Sequence, residues 1–102
     1  MNEVLLLITT EPNEKKAISI AKLLIKNKLA ACVSIKPIYS IYKWEGDIEE
    51  ANEFEISIKS KPEFQDNLIL FLHNMTSYEL PQILFKKYYS DSEYHNWLSK
   101  TI

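Results

Sequence analysis

Two runs of strand-like sequence, residues 32–43 and 48–60, flank the single glycine of this 102-residue chain, Gly46. The first run carries Val, Ile, Tyr and Ser, and the second carries Ile, Phe and Ser. Glycine supplies the φ > 0 that a tight turn needs, so the pattern predicts a long β-hairpin. Each arm holds roughly 12 extended residues, about 40 Å at ~3.3 Å per residue, whereas a compact domain of about 100 residues has a radius of gyration of about 13 Å. Such arms overhang their own domain, and long exposed strand edges recruit partners. The hairpin therefore predicts an oligomer whose function lies between subunits. Pro37 interrupts the first arm and marks it as an edge strand or a bulge.

The remaining pattern alternates strand and helix. Residues 4–10 form a short apolar run with Val4, Leu6 and Ile8 on one face and Leu5 and Leu7 on the other, as a central strand covered on both sides requires. Asn13 is a helix cap, followed by Ala17, Ile20, Ala21 and Leu24 at helical spacing, with Asn27 closing the helix in a left-handed conformation. Pro62 opens a second helix whose stripe is Phe64, Leu68, Phe71, Leu72 and Met75. Residues 80–89 read as another strand. Ser90-Asp91-Ser92-Glu93 is a capping-box pattern before a terminal helix carrying Tyr94, Trp97 and Leu98.

The resulting order, β-α-β-β-α-β plus a terminal helix, is the ferredoxin-like split βαβ arrangement: an α+β fold, one domain over residues 1–102, with the first strand central in an antiparallel sheet. Its two main helices cover one face of the sheet. The doubly apolar strand 4–10 then calls for a cover on the other face, and a second copy of the chain is the simplest source.

Composition narrows the chemistry. The net charge is −2, which gives no electrostatic footprint for nucleic acid. All 12 basic residues are lysine, so bidentate arginine clamps for phosphate or carboxylate are excluded. That argues against an acyl phosphatase, which needs an arginine to hold its phosphate. The lone Cys32 excludes an intrachain disulfide and any CxxC metallochaperone motif. No signal peptide or membrane span is readable, and the expectation is a cytoplasmic protein without a membrane partner.

Several segments stand in a telling order: Leu29-Ala30-Ala31-Cys32-Val33, Ser40-Ile41-Tyr42-Lys43-Trp44-Glu45-Gly46, Glu53 with Ile58-Lys59-Ser60, Tyr78-Glu79-Leu80-Pro81-Gln82-Ile83, and Tyr94-His95-Asn96-Trp97-Leu98. In these segments the chain resembles the CutA family of divalent-cation tolerance proteins. The resemblance implies a non-catalytic homotrimer held by its long hairpins, with a role in tolerance of divalent metals such as copper (Cu²⁺). In family members proposed to bind copper, a cysteine can end the first strand, where this chain has Thr9. His-Pro often precedes Tyr-Glu, where this chain has Thr76-Ser77. The usual soft ligands are thus missing from both places.

Two residue sets are candidates. Tyr42, Trp44, Glu53, Lys59, Tyr78 and Glu79 mix aromatic and charged chemistry. Taken alone they read as packing residues with satisfied polar tips. The resemblance makes them the lining of an intersubunit cleft, in which Lys59 offers a cation to a small anionic ligand, Glu79 orients it and the aromatic rings form walls. Cys32 and His73 are the candidate metal ligands, although a metal site needs several ligands converging. The acidic second arm, Asp47, Glu49, Glu50, Glu53 and Glu55, reads either as a solvated face that discourages aggregation or as a surface for hard cations or lysines. The alternative function is a trimeric small-molecule signalling protein like PII, which would here lack a glycine-rich phosphate loop.

Overall fold

The computed structural model describes residues 2–102. Four strands and three helices follow in the expected order: β1 (Glu3–Glu11), α1 (Glu14–Lys26), β2 (Cys32–Trp44), β3 (Asp47–Ser60), a short 3-10 turn (Pro62–Phe64), α2 (Gln65–Met75), β4 (Leu84–Tyr89) and α3 (Ser92–Thr101). The sheet has the order β2-β3-β1-β4. Every pairing is antiparallel. β1 and β3 are central, while β2, with its Pro37, and β4 are edges. None of the described helices is long and apolar enough to cross a membrane.

Alternation along the central strands sorts the two faces. Leu5 and Leu7 of β1 and Ile56 and Ile58 of β3 are fully buried against Ala17, Ile20 and Leu24 of α1 and Leu68 and Leu72 of α2. Fully burying one such aliphatic side chain contributes roughly 1.5–3 kcal/mol. The opposite face carries Val4, Leu6, Ile8 and Thr10, and here the structure corrects an expectation. The chain does supply a partial cover, because Leu98 and Ile102 pack on Val4 and Ala31 and leave Val4 4% exposed. The terminal helix thus shields one end of the second face, while Leu6 and Ile8 remain half-buried.

Helix ends follow local chemistry with small shifts. Asn13 caps α1, its Oδ1 accepting from the Lys16 amide at 3.1 Å. Asn27 closes that helix at φ −86°, so it is not left-handed; Lys28 takes that conformation instead, at φ 56°. The side chain that caps α3 is Asp91, whose Oδ1 accepts from the Tyr94 amide at 3.1 Å. Leu80–Ile83 do not join β4, which begins at Leu84. Pro81 lacks the N–H that a ladder needs, and the segment runs instead as a loop across the end of the sheet.

The hairpin gives the molecule its shape. β1 pairs with β3 from Leu5↔Ser60 to Glu11↔Phe54, and beyond that point residues 47–53 have only β2 beside them. This two-stranded extension stretches the chain to 45 × 24 × 23 Å, with a radius of gyration of 14.4 Å. Glu45 and Gly46 close it with φ values of 49° and 87°, the two positive angles of a type I′ turn, whose twist matches that of the flanking strands. A Cβ at Gly46 would meet no atom within 4 Å. Gly46→Val is therefore expected to destabilise the hairpin through backbone strain alone, by about 1–3 kcal/mol. Glu45→Asn should leave stability equal or higher. Chemical denaturation of both variants checks this, and an undiminished Gly46→Val protein would contradict the turn geometry.

Candidate functional site

A site that runs along the extension is built from three pieces of chain. Ser40, Tyr42 and Trp44 of β2 share a face with Glu53 of β3 and Thr10 of β1, because antiparallel partners such as Ile38↔Glu53 and Tyr42↔Glu49 point the same way. The third piece is the loop between α2 and β4. It is tied down by Glu11, a 1% exposed carboxylate at the end of β1 whose two oxygens accept from the Ser77 amide at 3.1 Å and the Ser77 hydroxyl at 2.5 Å. One residue on, the Tyr78 amide donates to Thr76 Oγ1 at 3.0 Å. The Tyr78 hydroxyl crosses to Glu53 and donates to its Oε1 at 2.5 Å. A carboxylate acceptor makes this a short, charge-assisted bond.

These pieces enclose a groove of about 570 Å³ lined by Thr10, Ser40, Tyr42, Lys43, Trp44, Glu53, Tyr78, Glu79, Leu80, Pro81 and Gln82. Five of the six residues assigned to the cleft from the sequence meet here: Tyr42, Trp44, Glu53, Tyr78 and Glu79. Lys59 does not. It lies six residues beyond Glu53 on β3, about 20 Å away along the strand. Its Nζ donates to Ser34 Oγ at 2.8 Å and to the Ser57 carbonyl at 3.5 Å. Within the chain, the cation expected to hold an anionic ligand is therefore spent on β2, and Lys43 stands in the groove instead. Sequence reasoning also missed Leu80, Pro81 and Gln82, which it placed in a strand. The signal was Pro81, whose missing N–H disfavours a ladder position.

Cys32 and His73 lie on opposite sides of the sheet. Cys32 starts β2 in register with Lys59, on the face that α3 covers, and raises the phenol of Tyr94, whose shift comes first from burial. His73 is exposed in the last turn of α2, on the other side. Among the described residues no three His, Cys, Asp or Glu side chains converge as a metal site would require. Three of the five acids of the second arm are engaged singly: Glu50 Oε1 accepts from the Tyr39 hydroxyl at 2.6 Å, Glu55 meets Lys36 Nζ at 3.4 Å, and Glu53 holds Tyr78.

The model of the CutA1 divalent ion tolerance protein family matches residues 5–101. The chain belongs to the CutA1 family. A divalent-cation tolerance protein CutA from Pectobacterium atrosepticum is 31% identical over 102 residues, covering 98% of this chain and 93% of the relative. The solved structure of CutA from Synechococcus elongatus PCC7942 superposes with a TM-score of 0.94 at 35% identity, over 99% of this chain and 91% of that one. A protein from Archaeoglobus fulgidus, described as a periplasmic divalent cation tolerance protein CutA, gives 0.93 at 35% identity over 96% and 97%. These likenesses share the α+β fold and its four-stranded antiparallel sheet, and they lend nothing to the PII-like alternative.

The Tyr78–Glu53 bond at the centre of this CutA1 groove has a titration signature. Burial pushes the Tyr78 phenol upward, and its hydrogen bond to Glu53 and the negative charges of Glu53 and Glu11 push it further. A phenol raised in the folded state contributes its full stability below the unfolded value of about 10 and loses it as pH climbs through the folded value. Tyr78→Phe removes the donor and leaves Glu53 short of a partner, at an expected cost of about 1–3 kcal/mol at neutral pH. That deficit relative to the parent should narrow above about pH 10. Urea unfolding of both proteins from neutral to alkaline pH tests this, and a deficit that stays constant would disprove the assignment.

Proposed function

We propose that this chain serves divalent-cation tolerance as a non-catalytic homotrimer, with the groove along the hairpin as its site for a small ligand or ion. The observation that carries this reading is the uncovered apolar surface of the extension. Tyr39, Ile41 and Ile48 are 60%, 65% and 76% exposed on one face of a two-stranded ribbon. Such a ribbon is marginal by itself in water and presents two unpaired edges. Neighbouring copies supply both the missing apolar cover and the missing strand partners, and a closed threefold ring uses the same contacts in every subunit.

Copper enters this proposal in a restricted form. Cys32 and His73 are held apart within one chain, and Thr9 is buried where a family cysteine can stand. A Cu²⁺ site, where present, is therefore completed between subunits. The cytoplasm is the compartment we propose, and fractionation distinguishes it from the location given for the Archaeoglobus fulgidus relative.

Sedimentation at micromolar concentration is expected to give three times the mass of the chain. Ile41→Asp together with Ile48→Asp should shift that mass toward one chain. A well-folded single chain for the parent would overturn the proposal. Calorimetry of the assembled protein with Cu²⁺ is expected to show a dissociation constant below about 1 mM, and a weaker value would remove copper from the reading.

A further inference from the structure

The groove is chemically one-sided. Glu53 is 8% exposed and sits among the groove's lining residues, with Oε1 already taken by the Tyr78 hydroxyl. No donor among the described residues bonds Oε2, yet no buried side-chain oxygen is sealed away without a partner. Oε2 therefore keeps some solvent exposure and remains a free acceptor on a groove-lining side chain that its twin oxygen anchors. The Tyr42 and Trp44 side chains share this face of the ribbon, and both are partly exposed, Trp44 at 37%. Glu79 adds a second carboxylate against the single ammonium of Lys43. The negative charge is in excess, and it stands beside aromatic rings.

A bare metal ion fits this arrangement poorly. Divalent ions require several oxygen, nitrogen or sulfur ligands in a fixed geometry. Among the described residues no such group of three acids, histidines or cysteines exists. An anion fits no better, since Glu53 lies in the groove and Lys59 does not. A free carboxylate oxygen in a groove that also holds aromatic side chains is the chemistry that recognises an alkylammonium head with its attached carbons.

We propose that the groove binds a small organic ammonium ion, its charged head on Glu53 Oε2 and its hydrocarbon against Tyr42. This inference rests on the reading of the groove as a ligand site, and it makes that ligand cationic. Glu79 provides a second anchor at the exposed rim, so a short diamine engages both ends. The volume of about 570 Å³ accommodates such a molecule with its hydration water.

The test uses the assembled protein and putrescine, with succinate as the length-matched dianion and Zn²⁺ as the metal alone. Calorimetry is expected to show putrescine binding with a dissociation constant below about 1 mM and no succinate binding. Glu53→Gln keeps an acceptor for Tyr78 but removes the charge, and it should weaken putrescine about tenfold or more. Tyr42→Leu removes a ring face outside the core and should weaken it about threefold. Sedimentation and thermal melting are measured on the same samples. Absent putrescine binding, binding that ignores both substitutions, preference for succinate, or Zn²⁺ taken up at Glu53 in place of the amine would each overturn the inference. An assembled protein that fails in this way leaves the trimer standing, whereas a single chain that binds putrescine refutes the trimer alone.

Discussion

The molecule is organised by a mismatch in strand length. β3 runs for 14 residues and its central neighbour β1 for only 9. Where β1 stops, at Glu11 opposite Phe54, the four-stranded sheet becomes a two-stranded ribbon. On the domain side of that boundary each central strand is flanked by partners and packed by helices. On the far side the backbone has one partner, and the side chains of both faces meet solvent. The boundary therefore separates a helix-packed core from a ribbon whose apolar side chains lie open to solvent.

The boundary is also where polar groups are buried. Glu11 and Glu53 are 1% and 8% exposed, an expensive position for carboxylates unless donors meet them. Ser77 supplies both donors to Glu11, and Tyr78 supplies one to Glu53. Two adjacent residues of one loop thus satisfy two acids on two different strands. This reciprocal arrangement explains why the loop after α2 runs across the sheet end, and why β4 begins only at Leu84. The groove results from that satisfaction, since its far wall is the loop that the acids hold.

The same bookkeeping of polar partners sets the sign of the site. Lys59 is bonded to Ser34 and Glu55 is paired with Lys36, so both are occupied away from the groove. Glu53 keeps one free oxygen within it. Electrostatics in the groove thus follows from which partners the register of β2 against β3 has already consumed.

Much of the fold was readable from the chain alone. The doubly apolar run at Leu5–Leu7, the helical spacing of Ile20 and Leu24, the cap at Asn13 and the turn at Gly46 are local features. Each rests on periodicity or on a conformational preference that acts within a few residues. The family segments likewise grouped Tyr42, Trp44, Glu53, Tyr78 and Glu79, which the fold places along one groove. What the chain alone left open depended on distances between segments far apart in sequence. Lys59 is the exception, since six residues of strand rise already put it about 20 Å from Glu53, and what the fold adds is its bond to Ser34. Leu98 looks like any amphipathic helix position, and only docking reveals that it covers Val4. Leu80–Gln82 carry strand-like character, and only the pull of Glu11 on Ser77 and of Glu53 on Tyr78 makes them a groove wall. Local preferences are settled by neighbouring backbone. The membership of a site is settled by which distant polar groups find each other when the sheet closes.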